Sequence, residues 1–375
     1  MRILMVVHSL RRGGAERVIL EVGVGLRARG HQVSIATLVA LDEYPEPAYA
    51  SLPRHPLLRF EHYRWPRCLP GLAAALGQCM DEVQPDIIQI HSWTCTLVCA
   101  WARAATPAVE VVHGSDFAER RSLIRKIGLR WIDRLVYRRL RPRIVVVAPG
   151  LRPALAKHLG CQAGEIRCIV NGVDLDRFPF RARVPSGMPI LLMIGTLSHL
   201  KRQDLAIRAL PRLLEQAPGA RLVILGDGPT RQELASLIAR LHLGDRVELV
   251  GQQNDVAGYL EKAHVLWHLS EREGLPVVVL EAMATGLPVI GHDVPGVRDV
   301  VANGKTGYLI PFGDTDALIE RTVRLLTDSR LNQTMGQAAR ARVEQEFDRE
   351  RMIHEHEALL QSVAHRAGKM DAGRL

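Results

Sequence analysis

No two cysteines in this chain are spaced C-x-x-C, no run of about 18 apolar residues occurs, and no repeat of solenoid period or low-complexity tract interrupts it. The first absence argues against a zinc ribbon or a thioredoxin-like redox centre, and the second against a membrane span. The third argues against a solenoid and against a compositional linker. Cysteine itself is sparse: Cys68, Cys79, Cys95, Cys99, Cys161 and Cys168. Thiols so scattered in a large chain without a secretory leader read as reduced and structural, which points to the cytoplasm. Cys95 and Cys99 stand at i, i+4 near His91, so a metal site is the alternative there to plain packing. The opening run Met1-Arg2-Ile3-Leu4-Met5-Val6-Val7 is too short for a signal peptide and reads as a buried strand. What remains is an ordinary globular composition, 47% hydrophobic and 24% charged, with a length that allows two or three domains.

Acidic residues are short in one half only. Residues 1–180 hold 25 Lys and Arg against 16 Asp and Glu, whereas residues 181–375 hold 24 of each. The whole net charge of +9 therefore sits in the first half, nearly all of it as arginine, and points to an anionic partner. Much of it lies in 119–143, with Arg121, Arg125, Lys126, Arg130, Arg134, Arg138, Arg139, Arg141 and Arg143. Leu123, Ile124, Ile127, Trp131 and Leu135 recur there at spacings of three and four. Two readings stand: a basic amphipathic helix lying on an anionic membrane, or a domain helix whose apolar face is core and whose arginines are merely solvated. No nucleic-acid motif accompanies the charge, so no nucleic-acid partner is expected.

Short apolar runs alternate with helical patterns along the chain. Strands are expected at 2–7, 33–37, 87–90, 109–112 and 144–147, with a helix at 15–29. The second half repeats the pattern with strands at 189–194, 222–225, 247–250, 265–268 and 289–290. Helices are expected there at 203–214, 231–241, 276–285 and 316–326. Such alternation implies parallel sheets with helices on both faces. The fold class is α/β, in two doubly wound domains joined near 180–189. Ligands on such sheets bind beyond the carboxyl ends of strands, and a cleft between two such domains is the natural site.

Chemistry gathers at those strand ends. In Ser270-Glu271-Arg272-Glu273-Gly274-Leu275-Pro276-Val277-Val278-Val279-Leu280-Glu281, one carboxylate precedes a helix start at Pro276 and a second follows about a turn in. A helix start offers free N–H groups and a positive dipole end, so the pair suits a ligand bearing both phosphates and hydroxyls, such as a nucleotide sugar. Gly195-Thr196-Leu197-Ser198-His199-Leu200-Lys201-Arg202 places cations at another strand end, where they could neutralise a diphosphate leaving group or simply be solvated. The loop His8 to Glu16 holds paired glycines, Gly13 and Gly14, that let amides approach a ligand or merely make a tight turn; it is not the G-x-G-x-x-G fingerprint. Gly226-Asp227-Gly228-Pro229 is a similar turn. His113, before Gly114, suits a sugar hydroxyl or a structural hydrogen bond, and His91 has the same two readings. Asp174-Leu175-Asp176 reads as a turn rather than a metal pair, and Asp314 as a helix N-cap.

Together these residues resemble the family 4 retaining glycosyltransferases of the GT-B fold, over nearly the whole chain. His8 to Glu16 is similar to that family's opening loop. Pro85-Asp86-Ile87-Ile88-Gln89-Ile90-His91 and His113-Gly114 are similar to its acceptor-side strand ends, and Asn171-Gly172-Val173-Asp174 to its interdomain turn. The likeness runs on from Gly195 through Glu273, Glu281-Ala282-Met283, Gly286-Leu287-Pro288-Val289 and Thr306-Gly307. The resemblance implies an acceptor-side domain over 1–182, a donor-binding domain over 183–348, and a last helix in 349–375 that packs back across the junction.

It also implies roles. Glu273, with Gly274, Leu275, Pro276 and Val277, would hold the donor sugar and distal phosphate, and Glu281 the ribose. Lys201 would pair with the diphosphate, Gly14 would offer it an amide, and His113 would contact the sugar near its 6-position. The family often has Arg where this chain has Thr196, and Gly where it has Arg202, so phosphate charge would rest on Lys201 with Arg202 as a substitute. Pro295 stands where a second Gly is common beside Gly296. The implied reaction is metal-independent, without a cofactor: a hexose moves from a nucleoside-diphosphate sugar to a glycan or lipid-linked acceptor, in cell-surface polysaccharide or lipopolysaccharide synthesis. The setting would be cytoplasmic, with the basic segment as a peripheral seat on the inner face of the membrane. Two alternatives stay open: a GT-B nucleotide-sugar epimerase or hydrolase, and a non-catalytic scaffold that binds glycan.

Overall fold

β-branched runs separated by helices build parallel sheets, because each helix carries the chain back to start the next strand in the same direction. The computed structural model describes residues 1–44, 46–59, 62–102, 106–114, 123–181 and 187–372, with backbone only for 123–130 and 367–372. The chain divides into two units: Met1–Asn171 with Glu350–Leu375, and Gly172–Arg349. The division falls at 171/172, ahead of the 182/183 boundary expected from sequence, and residues 182–186 lie outside the described residues.

In the first unit the strands are β1 (Arg2–Val7), β2 (Gln32–Val39), β3 (Arg54–Leu58), β4 (Ile87–His91), β5 (Ala108–Val112), β6 (Arg143–Val146) and β7 (Arg167–Cys168). The helices between them are α1 (Gly14–Ala28), α2 (Leu69–Val83), α3 (Trp93–Trp101), α4 (Leu123–Leu140) and α5 (Arg152–Leu159). The sheet order is β3-β2-β1-β4-β5-β6-β7, and the recorded pairings are parallel. The order reverses between β1 and β4, where Val7 lies opposite His91. Leu4, Val6, Ile88 and Ile90 pack under Leu72 and Leu76 of α2 and Val98 of α3.

α4 departs from the reading of an apolar stripe turned to the core. Asp133 and Val136 are buried, while Trp131 and Leu135 are exposed. The side chains of Leu123, Ile124 and Ile127 lie outside the described residues.

The second unit holds β8 (Ile190–Ile194), β9 (Arg221–Leu225), β10 (Val247–Gly251), β11 (Val265–His268), β12 (Val289–His292) and β13 (Gly307–Ile310). Its helices are α6 (Gln203–Gln216), α7 (Arg231–Arg240), α8 (Val256–Lys262), α9 (Val277–Ala284), α10 (Pro295–Val300), α11 (Thr315–Thr327) and α12 (Ser329–Glu346). The order β10-β9-β8-β11-β12-β13 reverses between β8 and β11. Leu191, Met193, Ile224 and Trp267 meet Leu210 and Leu213 of α6 and Leu318 and Leu325 of α11. The indole N–H of Trp267 donates to Thr322 Oγ1 at 3.0 Å, so this buried aromatic leaves no orphan donor.

α13 (Arg349–Ala372) belongs from Glu350 onward to the first unit. Ile353, His356 and Leu360 are buried there. Glu357 takes Arg29 at 3.0 Å and His31 at 2.8 Å, and the side chains of Gln89 and His356 meet at 3.0 Å.

Candidate functional site

Where strand order reverses, the loops leaving two neighbouring strands turn to opposite faces and open a crevice. In the second unit those loops follow β8 and β11, and they carry Lys201 and Glu273. Their backbones are tied by Glu271 N–H donating to the Leu200 carbonyl at 2.9 Å. Lys201 Nζ donates to Glu273 Oε1 at 2.5 Å, and His268 Nε2 stands 2.9 Å from the same oxygen. The Glu273 side chain is only 12% exposed, so burial pushes its carboxyl up. His268 and then Lys201 overcome that push by charge and hydrogen bond, and hold the carboxyl well below the usual carboxylate range. Glu273 is therefore an anion fixed in place between two nitrogens.

Gly274, Leu275 and Pro276 follow, all buried, and α9 begins at Val277 with Pro276 as its N-cap, one residue later than expected. The ladder opens with Val279 and Leu280 N–H both on the Pro276 carbonyl, so the amides of Val277 and Val278 precede it, at the positive end of the helix. Glu281 lies one turn into α9 and is 4% exposed. Below this loop runs the start of α10. A Cβ on Gly296 would collide with the Gly274 carbonyl, so the loop holds its height only over a glycine.

The other residues singled out in sequence divide between site and scaffold. Arg202 is already engaged: its guanidinium pairs with Asp204 and with Glu271, each at 3.0 Å, and lies 5.4 Å from the Phe312 ring centroid. The residue expected as a substitute for phosphate binding thus also joins the two loops. Its backbone is left-handed, at φ 52° and ψ 40°, a conformation that glycine adopts without strain and arginine does not. Thr196 is exposed, and its carbonyl accepts from Gln203 Nε2 at 3.1 Å. Gly226 and Gly228 let their turn lie against the backbone of Gly195 and Leu197, a packing role. Asp174 Oδ1 accepts from the amides of Asp176 and Arg177 in a turn, and Asp174 Oδ2 pairs with Arg349. Asp314 caps α11 through the Ala317 amide at 2.9 Å.

In the first unit the corresponding crevice follows β1 and β4. A cavity of about 430 Å³ opens there, lined by residues including His8, Glu16, His91, Glu110, His113 and Asp133. Gly13 N–H donates to the Tyr44 hydroxyl at 3.0 Å, which in turn donates to the Gly13 carbonyl at 2.7 Å, and Gly14 opens α1. His91 and His113 stack, with ring centroids 5.3 Å apart and His91 Nδ1 3.0 Å from His113 Nε2. Burial lowers His113 to about 4 and holds His91 well below the ordinary imidazole value, so both rings are neutral at pH 7. Cys95 is a buried thiol beside the Ser92 hydroxyl, at 3.2 Å. Among the described residues, no group of three or more His, Cys, Asp or Glu side chains is placed to hold a metal ion.

Two buried carboxylates here escaped the sequence reading. Asp133 on α4 accepts from Trp93 Nε1 at 2.5 Å and meets His158 Nε2 at 2.6 Å. Glu110 on β5 is 2% exposed, and burial pushes its carboxyl up to about 7 against the hydrogen bonds of Tyr137 and Thr96. A glutamate in Ala108-Val109-Glu110-Val111-Val112 reads as an outward-facing residue. The available signal was the sheet itself, since a parallel strand covered on both faces has no solvent side.

Comparison with known proteins agrees with this architecture. The family model described as Glycosyltransferase Family 4 matches residues 12–177, and that described as Glycosyl transferases group 1 matches residues 175–342. The N-acetyl-alpha-D-glucosaminyl L-malate synthase of Bacillus anthracis is 27% identical over 374 residues, covering 94% of each chain. An amylovoran biosynthesis glycosyltransferase of Erwinia amylovora is 30% identical over 253 residues, 64% of this chain and 60% of that one. In fold, the Anabaena HepE protein in complex with UDP and glucose matches with a TM-score of 0.82 at 21% identity, over 96% of this chain and 100% of that one. Among the described residues no helix is long and apolar enough to cross a membrane. Since the two models meet end to end along the chain, in the order of its two sheets, this protein belongs to the family 4, group 1 glycosyltransferases and has the GT-B fold.

Proposed function

We propose that this glycosyltransferase moves a hexose from a nucleoside-diphosphate sugar to a hydroxyl of a glycan or lipid-linked acceptor, with retention at the anomeric carbon, in the synthesis of a cell-surface polysaccharide or lipopolysaccharide. The observation that carries the reading is the Lys201–Glu273–His268 constellation beside the start of α9. Breaking a sugar–phosphate bond puts negative charge on the departing diphosphate, and stabilising that charge is the main electrostatic task. Lys201 and the first amides of α9 supply positive potential from one loop pair. Glu273, kept anionic, accepts hydrogen bonds from sugar hydroxyls. As a diphosphate arrives, Lys201 passes from the carboxylate to the phosphate while His268 keeps Glu273 in position. In this reading the protein's own cations serve the diphosphate, so no metal takes part. Glu281 takes the ribose, and the remaining roles carry over from the resemblance, His113 toward the sugar and Gly14 toward the diphosphate. Retention follows from a same-face displacement in which the departing phosphate takes the acceptor's proton. The polysaccharide setting is supported by the Erwinia relative, and UDP-glucose is the first donor to try because HepE is known with UDP and glucose.

Replacing Glu273 by Ala tests the reading. We expect turnover to fall by roughly 10² to 10³, with circular dichroism unchanged. Near-normal transfer by that variant with its true donor would sink the assignment. A thermal-shift screen with UDP, GDP and ADP and their sugars identifies the donor, since a ligand of the native state raises the melting temperature.

A further inference from the structure

Outside the loops already described, the second unit holds a cavity of about 520 Å³ between α6 and α7. That volume falls within the range of small-molecule sites, about 300 to 1,000 Å³, and far exceeds the ~30 Å³ of one water. Neither Lys201 nor Glu273 lines it. Two residues that do, Gln203 and Thr230, are each 3% exposed. Each carries a buried oxygen without a hydrogen-bond partner, Gln203 Oε1 and Thr230 Oγ1. Thr230 is the N-cap of α7, where a hydroxyl ordinarily accepts from an amide of the first turn, but here it makes no such bond. Its N–H donates to the Leu197 carbonyl at 3.2 Å, and Gln203 Nε2 donates to the Thr196 carbonyl at 3.1 Å. Both residues thus anchor the loop that leads to Lys201 and keep one oxygen unused. A buried oxygen left unpaired is a standing cost that a hydrogen-bonding ligand removes.

Unpaired positive charge lines the same cavity. Arg208 on α6 and Arg240 on α7 are exposed there and have no ion-pair or hydrogen-bond partner among the described residues. The acids on the rim have cations beside them: Asp204 pairs with Arg202 at 3.0 Å, and Glu233 lies 3.7 Å from His199 Nε2. Leu234 and Leu237 of α7, both 4% exposed, add apolar surface. The cavity therefore offers an amide oxygen that only accepts, a hydroxyl, an apolar patch and two guanidinium groups. The amide oxygen calls for a hydroxyl or N–H donor, the patch for carbon, and the arginine forks for phosphate. A bare anion would leave Gln203 Oε1 unpaired, and an uncharged sugar would leave both arginines without a counter-ion. A sugar that carries a phosphate answers every group.

We propose that the cavity between α6 and α7 is a second ligand site, which binds a phosphorylated sugar apart from the Lys201–Glu273 site. Calorimetry on the full chain reads binding without turnover, so a failure here leaves the proposed transfer reaction untouched. The probes are glucose 6-phosphate, fructose 6-phosphate, glucose and inorganic phosphate. At least one hexose phosphate should bind, about tenfold or more tighter than glucose or inorganic phosphate. Arg208→Gln with Arg240→Gln should weaken it by roughly 100-fold, tenfold for each charged hydrogen bond. Thr230→Val should weaken it about fivefold without lowering the melting temperature, since the hydroxyl removed has no partner in the free protein. Lys201→Gln should bind the probe as wild type does. Melting curves check that each variant is folded. No binding of either hexose phosphate, equal binding of inorganic phosphate, or undiminished binding by the double arginine variant or by Thr230→Val would overturn the proposal. So would loss of binding in Lys201→Gln, which would put the probe at the donor loops. A lower melting temperature in Thr230→Val would show that the hydroxyl caps α7 and is not free for a ligand, and would overturn it too.

Discussion

Replacing Glu110 by Gln should stabilise the first unit at neutral and alkaline pH and leave it nearly unchanged in mild acid. Glu110 is buried on β5, and its carboxyl is raised from 4.5 to about 7, by burial first and by Asp133 as well. The folded state therefore keeps a proton that the unfolded chain releases between those two values. Stability is fully present below the unfolded value and is lost as pH rises through the folded one. At 1.36 kcal/mol per unit, the shift corresponds to about 3 kcal/mol withheld from the native state above pH 7. Glutamine stays neutral throughout and can still accept from Tyr137 and Thr96, so it removes the penalty without leaving those donors unpaired. Urea unfolding of the full chain, at about pH 5 and about pH 8, reads the difference. The variant should gain about 3 kcal/mol over wild type at the higher pH and under about 1 kcal/mol at the lower. In melting temperature that gain corresponds to roughly 6 to 12 °C for a unit of this size. An equal change at both pH values would show that Glu110 does not titrate across this window, and the argument from burial would fail.

Two further predictions concern the donor loops. Gly296→Ala should push the Glu273–Gly274 backbone out of place, since the new Cβ would overlap the Gly274 carbonyl. Stability should fall by about 1 to 3 kcal/mol, and the thermal shift given by the donor nucleotide should vanish; wild-type nucleotide affinity would refute this. Arg202→Gly should leave stability within about 1 kcal/mol of wild type, because relief of a left-handed backbone offsets two part-exposed ion pairs. Arg202→Ala keeps the strain and loses the pairs, so it should be the less stable of the two in the same denaturant titration.

The alternation of apolar runs and helical patterns made both sheets legible, and Lys201 and Glu273, which the fold brings to hydrogen-bond distance, were both singled out at strand ends. The strands that escaped have physical reasons. β3 contains Arg54, His55 and Pro56 and is half-buried at a sheet edge, so it carries little apolar signal. β7 has two residues, and β13 opens on a glycine. Trp131 and Leu135 were left with two readings because spacing says which side chains share a helix face, not which face meets the core. Arg202 was legible as a cation, but its partners lie at Asp204 and at Glu271, 69 residues away, and only the fold brings the second one close.

The return of α13 to the first unit makes that unit discontinuous in sequence. The chain enters the second unit at Gly172, completes it by Arg349, and only then supplies Ile353, His356 and Leu360 to the first. During synthesis, the part begun first is thus finished last. The second unit can close on its own while the first still waits for its final helix. Residues 172–349 are therefore an insertion that can be excised as one piece, whereas a chain stopped at 349 leaves Gly25 and Gln89 facing a missing wall.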